Sequence, residues 1–518
     1  MAIDYSLYLV TDSSPQILGD KDIVSVVEDA IRGGVTMVQY RDKVSDTAAL
    51  IHTAKRLHQV TQRHQVPLLI NDRVDVALAV GADGLHIGQE DMDLATARRI
   101  LGPQAIIGVT ASTVSKAVAA AQGGASYLGI GTVYATPTKV DTKSIIGTAG
   151  VKEILQHLSD TDIEIPAVAI GSINAANVSR IMYQCSTPER NLSGVAVVSA
   201  VMAAPDPRSA ASELHQAIVS VPRTLSPKAS ENNNLSKLVS QVPRIVKKVA
   251  EISPLSHNMT NLVVQNFAAN VAICIGASPI MANYGEEAKD LATLGGALVV
   301  NMGTVTPEGL ANYCHAIRAY NEVGGPVVLD PVGGGATSVR REAVKTLLKA
   351  GYFDLIKGNE NEILTVLGEG SVQQKGVDSG ASTSTIEAKA EIVRRLAERE
   401  RNVVLMTGKT DLLSDGTRTI AIENGHRYLG SITGSGCTLG TTASAFLAVE
   451  KDDRLLAVLS GILLFEIAAE LAGELDEVHG PGTFVPAFLD SLYSLANLDK
   501  ADEANWLDKA KIKMITKE

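Results

Sequence analysis

Two aspartates, Asp72 and Asp91, stand just past the ends of two consecutive apolar runs at residues 66–70 and 84–87. Each run reads as a short buried strand. Strands joined by a helix run parallel, so their carboxyl ends lie side by side and the two carboxylates can converge on one divalent cation. Hard oxygen ligands of this kind suit Mg²⁺ and a substrate that carries pyrophosphate. The alternative is that both aspartates only cap the helices that follow them. Cations gather in the same half: Arg41 and Lys43 follow the run 35–39, and Lys139 follows 127–130. Such charges, beside a metal, would stabilise a departing pyrophosphate.

A second set of residues lies further along. The turn Gly434-Ser435-Gly436-Cys437 opens a helix expected over 438–449. Successive backbone amides at a helix start form an anion hole for a transferred phosphoryl group. The same position would lower the pKa of Cys437 towards thiolate, although a tight turn with a small inert cysteine fits the residues too. Asn359 and Glu362 follow the apolar pair 355–356. Glu362 can act on Mg²⁺ directly or through water, or it is an ordinary first-turn glutamate behind an Asn cap. The chain has no Gly-x-x-x-x-Gly-Lys-Ser/Thr and no Gly-x-Gly-x-x-Gly after a strand, so a nucleotide site here is neither a P-loop nor a dinucleotide fold.

The first set needs a scaffold that brings distant residues to one rim. Strands are expected over 6–10, 35–39, 66–70, 84–87, 105–109, 127–130, 167–170 and 195–198, separated by Ala-rich helical segments. Eight such alternations in about 220 residues fit a closed (β/α)₈ barrel. The polar residues fall directly after the strands, at the active end of such a barrel. Gln39, Arg41 and Lys43 follow the second strand, Asn71 and Asp72 the third, Asp91 the fourth and Thr110 the fifth. Thr136, Thr138 and Lys139 follow the sixth, Gly171 the seventh, and Val198 and Ser199 close the eighth. Barrels commonly bind phosphate after strands seven and eight. Two phosphate subsites in one mouth imply two phosphorylated substrates.

Periodicity is lost between Val221 and Ser240, where Pro, Ser and Asn crowd together. This places a first domain at 1–222, a linker at 223–238 and a second domain at 239–518. The second domain shows strands over 297–301, 327–329, 355–356 and 403–406 and is expected to be an open, mostly parallel sheet with helices on both faces. The Gly-, Ser- and Gln-rich stretch 368–384 reads as a loop.

A chain of 518 residues and 54.4 kDa calls for two or three domains. Hydrophobic residues at 45% and charged ones at 20% describe a folded globular protein, and aromatics at 4% leave the cores to Val, Ile, Leu and Ala. The net charge of −11 argues against general nucleic-acid binding. Four cysteines without metal spacing suggest a reducing compartment. A strand almost at the amino terminus leaves no room for a signal segment, so a cytoplasmic protein is expected. The apolar stretch 455–471 contains Glu466 and Glu470 and reads as a buried helix, not a membrane span. His52, His58, His64 and His315 are expected on helix surfaces.

Several strings carry a resemblance. Val38-Gln-Tyr-Arg-Asp-Lys, Ile70-Asn-Asp, His86-Ile-Gly-Gln-Glu-Asp, Gly131-Thr-Val-Tyr-Ala-Thr-Pro-Thr-Lys and Val168-Ala-Ile-Gly resemble thiamine-phosphate synthase over about residues 5–215. The resemblance implies coupling of a hydroxymethylpyrimidine diphosphate to a thiazole phosphate with loss of pyrophosphate. It implies that Gln39, Arg41, Lys43, Asn71, Thr110 and Lys139 bind the diphosphate substrate and that Asp72 and Asp91 hold Mg²⁺. Thr136, Thr138, Gly171, Val198 and Ser199 would bind the thiazole phosphate. Thr110 stands where many members carry Ser, and the hydroxyl is retained.

The run from His257 to Asn270, with Gly276-Ala-Ser-Pro-Ile-Met-Ala-Asn, Leu329-Asp-Pro-Val-Gly, Ile356-Lys-Gly-Asn and Gly480-Pro-Gly-Thr-Phe, resembles hydroxyethylthiazole kinase of the ribokinase-like group over 240–495. By this resemblance Asn261, Val263, Met281 and Gly434 line the thiazole pocket. Lys357 and Thr407 contact ATP, Asp330 and Glu362 organise Mg²⁺, and Cys437 is the base, where related sugar kinases carry Asp. Such kinases place the pocket between subunits, so a homo-oligomer built on kinase-domain trimers is implied. Two other readings remain: a sensor with one dead site, and a sugar or pyridoxal-type kinase joined to a phosphate-binding barrel.

Overall fold

A computed structural model describes residues 3–134, 145–187, 189–219, 234–369, 385–498 and 505–516. They fall into two compact units, Met1–Pro222 and Arg223–Glu518. In the first, eight strands run parallel: β1 Leu7–Val10, β2 Met37–Tyr40, β3 Leu68–Asn71, β4 Gly84–Ile87, β5 Ile106–Ala111, β6 Tyr127–Gly131, β7 Ala167–Ile170 and β8 Gly194–Val197. β8 pairs with β1 and closes the barrel. Each strand lies where the sequence expected it, displaced by at most two residues at either end.

The strands are mostly apolar because both faces are covered. Leu7 and Leu9 of β1 pack outward with the helix residues Val26, Val27 and Ala30, while Tyr8 and Val10 point inward with Met37, Leu69, Tyr127 and Val168. Full burial of each such Val or Leu contributes about 1.5–3 kcal/mol. The helix Ile23–Arg32 shows how local signals set these elements. Asp22 caps it by accepting from the Ser25 amide, and Ile23, Val26, Val27, Ala30 and Ile31 form its buried stripe. Closure depends on a residue without a side chain, because a Cβ on Gly194 would lie 2.0 Å from the Tyr5 carbonyl oxygen. One helix histidine departs from expectation: His58 is buried, its ring 3.0 Å from the Gln62 amide nitrogen.

The second unit is a nine-stranded sheet in the order β10-β9-β11-β12-β13-β14-β15-β16-β17. β9 Leu255–Met259, β10 Ser278–Ile280, β11 Ala297–Asn301, β12 Val327–Asp330, β13 Leu355–Asn359 and β14 Val403–Thr407 are parallel. β15 Asp411–Ser414, β16 Thr419–Ile422 and β17 Ile512–Met514 continue it antiparallel. Five of these nine strands were not foreseen. β9 is polar along its middle, where Ser256, His257 and Asn258 are buried. The neighbouring helix meets two of these, since Thr441 donates to Asn258 and Ser256 meets the Ser444 hydroxyl at 2.8 Å, while His257 Nε2 lies 3.0 Å from the Ala282 carbonyl oxygen. β10 carries Pro279 at the sheet edge, where a missing amide costs nothing.

The helix Arg454–Gly473 is long and apolar enough to cross a membrane by composition, yet 94% of its apolar window is buried in this unit. Asp453 caps it and receives both terminal nitrogens of Arg418 at 2.7 and 2.8 Å, which fastens the β15–β16 hairpin to the helix start. The expected linker is shorter than 223–238: Leu235–Val239 is helical and Leu238 fully buried, while 220–233 lies outside the described residues.

Candidate active sites

The barrel rim collects most of the residues expected there. Gln39, near the end of β2, is buried, and Asn71 ends β3 opposite His86 of β4. Asp72 follows with a left-handed backbone, φ 65°, and its carboxylate lies 3.0 Å from the Lys43 ammonium. Asp91 accepts the Gly88 amide at 2.7 Å. Neither aspartate caps a helix. The helix Val74–Val80 has no side-chain cap, and Leu94–Leu101 is capped by Asp93. The capping alternative therefore fails for both, and two carboxylates remain at adjacent strand ends.

Among the described residues no group of three or more His, Cys, Asp or Glu side chains gathers as a metal site. Two carboxylates still fit Mg²⁺, which keeps waters and takes substrate oxygens for its other positions. Arg41 approaches Asp12 at 3.8 Å, and its amide donates to Thr11 Oγ1. At Gly171, φ 123°, a Cβ would lie 2.4 Å from Thr132 Cγ2, and Val198-Ser199 opens a four-residue helix after β8. Thr136, Thr138 and Lys139 lie outside the described residues.

Beneath the rim a polar chain escaped sequence reasoning. Gln39 Nε2 donates to Tyr8 Oη at 2.6 Å, and Tyr8 Oη meets Tyr127 Oη at 2.7 Å. Tyr127 Oη lies 2.8 Å from His86 Nδ1, whose Nε2 is 2.9 Å from Thr110 Oγ1. The available signal was alternation: His86 sits between Leu85 and Ile87, so its side chain faces the interior when theirs face the helices.

In the second unit the expected residues again mark strand ends. Asn301 closes β11 and Asp330 closes β12, paired in register. Asn301 Nδ2 donates to Asp330 Oδ2 at 2.8 Å, and Lys357 Nζ reaches the same oxygen at 3.0 Å. Asn261, after β9, donates to Asn301 Oδ1 at 3.1 Å and to Cys437 Sγ at 3.5 Å. Asn301 was not singled out from the sequence, although a polar residue ending an apolar strand is the same signal that marked Asp72. Burial opposes charge on Lys357 and pushes Asp330 up, yet Asp330 holds the Lys357 ammonium above its ordinary range. The ionised pair is the form the geometry supports, because one Asp330 oxygen takes both the ammonium and the Asn301 amide.

Gly434 begins the helix Ser435–Val449 in a left-handed conformation, φ 91°, where a Cβ would strike Val264. Cys437 lies in the first turn, but not as the expected thiolate. Burial and then the Asp330 charge push its thiol up to about 11, against the pull of Lys357. Glu362 forms a capping box with Asn359 and also accepts the Gly333 amide at 2.8 Å, so backbone donors take both its oxygens. Burial, followed by Asp330, raises it to about 7. Thr407 ends β14 and Met281 follows β10, both half-buried, whereas Val263 is 71% exposed.

Over residues 7–201 the chain matches the thiamine monophosphate synthase family, and over 246–498 the hydroxyethylthiazole kinase family. It is 42% identical over 516 residues to a probable thiamine biosynthetic bifunctional enzyme of Schizosaccharomyces pombe, covering 98% of each chain. The chain belongs to the bifunctional thiamine biosynthetic enzymes. A second such enzyme, from Saccharomyces cerevisiae, is 35% identical over 531 residues, with 97% of each chain covered. A hydroxyethylthiazole kinase of Moorella thermoacetica is 41% identical over 261 residues, covering 50% of this chain and 95% of its own. The bifunctional enzyme thus carries a synthase barrel followed by a thiazole-kinase unit.

The raised Glu362 gives a signed pH dependence. Its contribution to folding is present below about pH 4.5 and lost as pH rises through about 7, since the unfolded carboxyl ionises first. Glu362→Gln should flatten the stability of the second unit over this window. Urea unfolding followed by the fluorescence of Trp506, the single tryptophan, measures it; an unchanged slope refutes the assignment.

Proposed function

We propose that the kinase unit transfers the γ-phosphoryl group of ATP to hydroxyethylthiazole and that the barrel joins the resulting thiazole phosphate to hydroxymethylpyrimidine diphosphate, giving thiamine monophosphate and pyrophosphate. The observation that carries this reading is the whole-length match to enzymes named for thiamine biosynthesis. A cytoplasmic location accords with it.

In the barrel, Gln39, Arg41, Lys43, Asn71, Thr110 and Lys139 bind the pyrimidine diphosphate. Mg²⁺, held by Asp72 and Asp91, would neutralise the leaving pyrophosphate. Lys43 already lies 3.0 Å from Asp72, so one more cation borders the same charge. The electron-rich pyrimidine stabilises a methylene cation after departure, and the thiazole nitrogen then attacks it. No protein nucleophile is needed. Thr136, Thr138, Gly171, Val198 and Ser199 hold the thiazole phosphate during that attack.

In the kinase, amides at the start of Ser435–Val449 face the transferred phosphoryl group. Asn261, Val263, Met281 and Gly434 bind the thiazole, and Thr407 binds ATP. Asp330 and Glu362 would organise Mg²⁺, Glu362 through water because backbone amides already occupy its oxygens. Lys357, expected at ATP, is buried against Asp330 and balances that carboxylate before any ligand arrives. Cys437 then meets the reacting hydroxyl as a thiol. Phosphoryl transfer rests mainly on positioning and electrostatics, so a strong base is dispensable.

Leu262 and Val263, each 71% exposed beside Asn261, present apolar surface that a neighbouring kinase unit would cover in a trimer. Light scattering should return three chain masses; a monomer at assay concentration contradicts this.

Asp72→Asn and Asp91→Asn should each lower coupling at least about a hundredfold, as loss of a preorganised charge group does, while leaving thiazole phosphorylation intact. Full coupling by both variants under limiting Mg²⁺ removes the metal assignment. Cys437→Ser should keep kcat for phosphorylation within about tenfold, the lower end of general-base effects being larger, with a pH profile parallel to wild type. A loss of a thousandfold with a changed pH limb would restore the base role.

A further inference from the structure

We propose that Arg340 is a positioning residue of the kinase unit: by holding the carbonyls that follow β11 and β12, it fixes the Asn301 carboxamide between Asp330 and Asn261. The consequence for the reaction rests on the roles given above to Asp330 and Asn261; the hydrogen-bond arrangement does not.

Arg340 sits in the first turn of the helix Ser338–Ala350, where the Thr337 cap accepts its amide at 3.2 Å. A cation at that end opposes the helix dipole, so the helix gains nothing from an arginine here. The guanidinium is used elsewhere. Nη1 donates to the Met302 and Val332 carbonyls at 3.0 and 2.8 Å, and Nη2 to the Gly303 carbonyl at 2.8 Å. Met302 and Gly303 directly follow β11, and Val332 lies two residues past β12. The Asp330 carbonyl meets the same two segments from the strand side, accepting the Met302 amide at 3.1 Å and the Val332 amide at 2.8 Å. A rigid fork of donors can bridge three carbonyls at once, which a single ammonium cannot.

The peptide held in this way sets Asn301. The Gly303 amide donates to Asn301 Oδ1 at 2.9 Å, and a main-chain N–H cannot exchange its role for that of an acceptor. Oδ1 must therefore face Gly303, which leaves Nδ2 to donate to Asp330 at 2.8 Å. The Val263 amide fixes Asn261 by the same logic, donating to its Oδ1 at 3.2 Å, so that Asn261 Nδ2 faces Asn301 and Cys437. Reversing either carboxamide would set donor against donor among buried groups. Close packing also holds the peptide in place, because a Cβ on Gly303 would lie 2.7 Å from Asn261 Cβ. Arg340 thus acts on the reacting end of the unit only through Gly303 and Asn301.

The test is a double-mutant cycle in the full chain, read as thiazole phosphorylation. Arg340→Met and Asn301→Ser should each lower kcat about tenfold, within the range of couplings between neighbouring groups, with KM for ATP changed far less. The double variant should be no slower than Asn301→Ser alone. Losses that multiply overturn the proposal, since Arg340 would then act by a route that bypasses Asn301. A crystal structure of Arg340→Met should show the Asn301 carboxamide in more than one rotamer; one unmoved rotamer with both hydrogen bonds kept also overturns it. Should Arg340→Met not fold, Arg340→Lys keeps the charge, loses the fork and carries the same cycle with a smaller loss. A displaced Asn301 with unchanged kcat overturns the roles given to Asp330 and Asn261, and with them the positioning of a reacting group.

Discussion

Parallel strands release their last residues along one edge, and the site residues that end or follow a strand in either unit depend on that constraint. Backbone groups beyond a strand end no longer serve the ladder, so side chains there can face a ligand without breaking a sheet hydrogen bond. In the barrel this edge becomes a ring that carries Gln39, Asn71, Asp72 and Thr110. In the second unit it becomes a row, with Asn301, Asp330, Asn359 and Thr407 each ending a strand. The same geometry on two different sheets serves substrates that share one chemistry, since both carry phosphate or receive it.

The two edges handle charge differently. At the barrel rim, Lys43 and Asp72 are half-exposed, and their contact alone is worth little, about 0–1 kcal/mol. They can separate easily when a diphosphate or a cation arrives. Lys357 and Asp330 are almost fully buried, where desolvation offsets much of the attraction and neither partner can be lost cheaply. Asn301 and Asn261 continue this pair towards Cys437, so the kinase edge is a preorganised polar cluster and the barrel rim an adaptable one. Preorganisation suits phosphoryl transfer, in which the protein contributes position more than covalent chemistry.

The barrel was legible because its strands, such as Leu68–Asn71 and Ala167–Ile170, are buried on both faces and read as apolar runs. Strand β9 was not, because its buried polar residues find partners far away in sequence, Ser256 and Asn258 on the helix Ser435–Val449 and His257 at the Ala282 carbonyl. An Asn359 cap followed by an ordinary first-turn Glu362 was weighed from the sequence; the structure makes the two a capping box, and the Gly333 amide that takes the remaining Glu362 oxygen comes from another strand end. Cys437 shows the sharpest difference: its place at a helix start suggested a thiolate, while burial beside Asp330 keeps it a thiol.

The sequence by itself determined the family, the two folds and most of the strand-end residues, Asn301 excepted, because local hydrophobic period and short motifs are written in consecutive positions. Only the tertiary structure decided ionisation and pairing. Whether Asp72 caps a helix and whether Lys357 is free turn on contacts between residues tens of positions apart. Their energies come from desolvation and from partners that no sequence neighbour supplies.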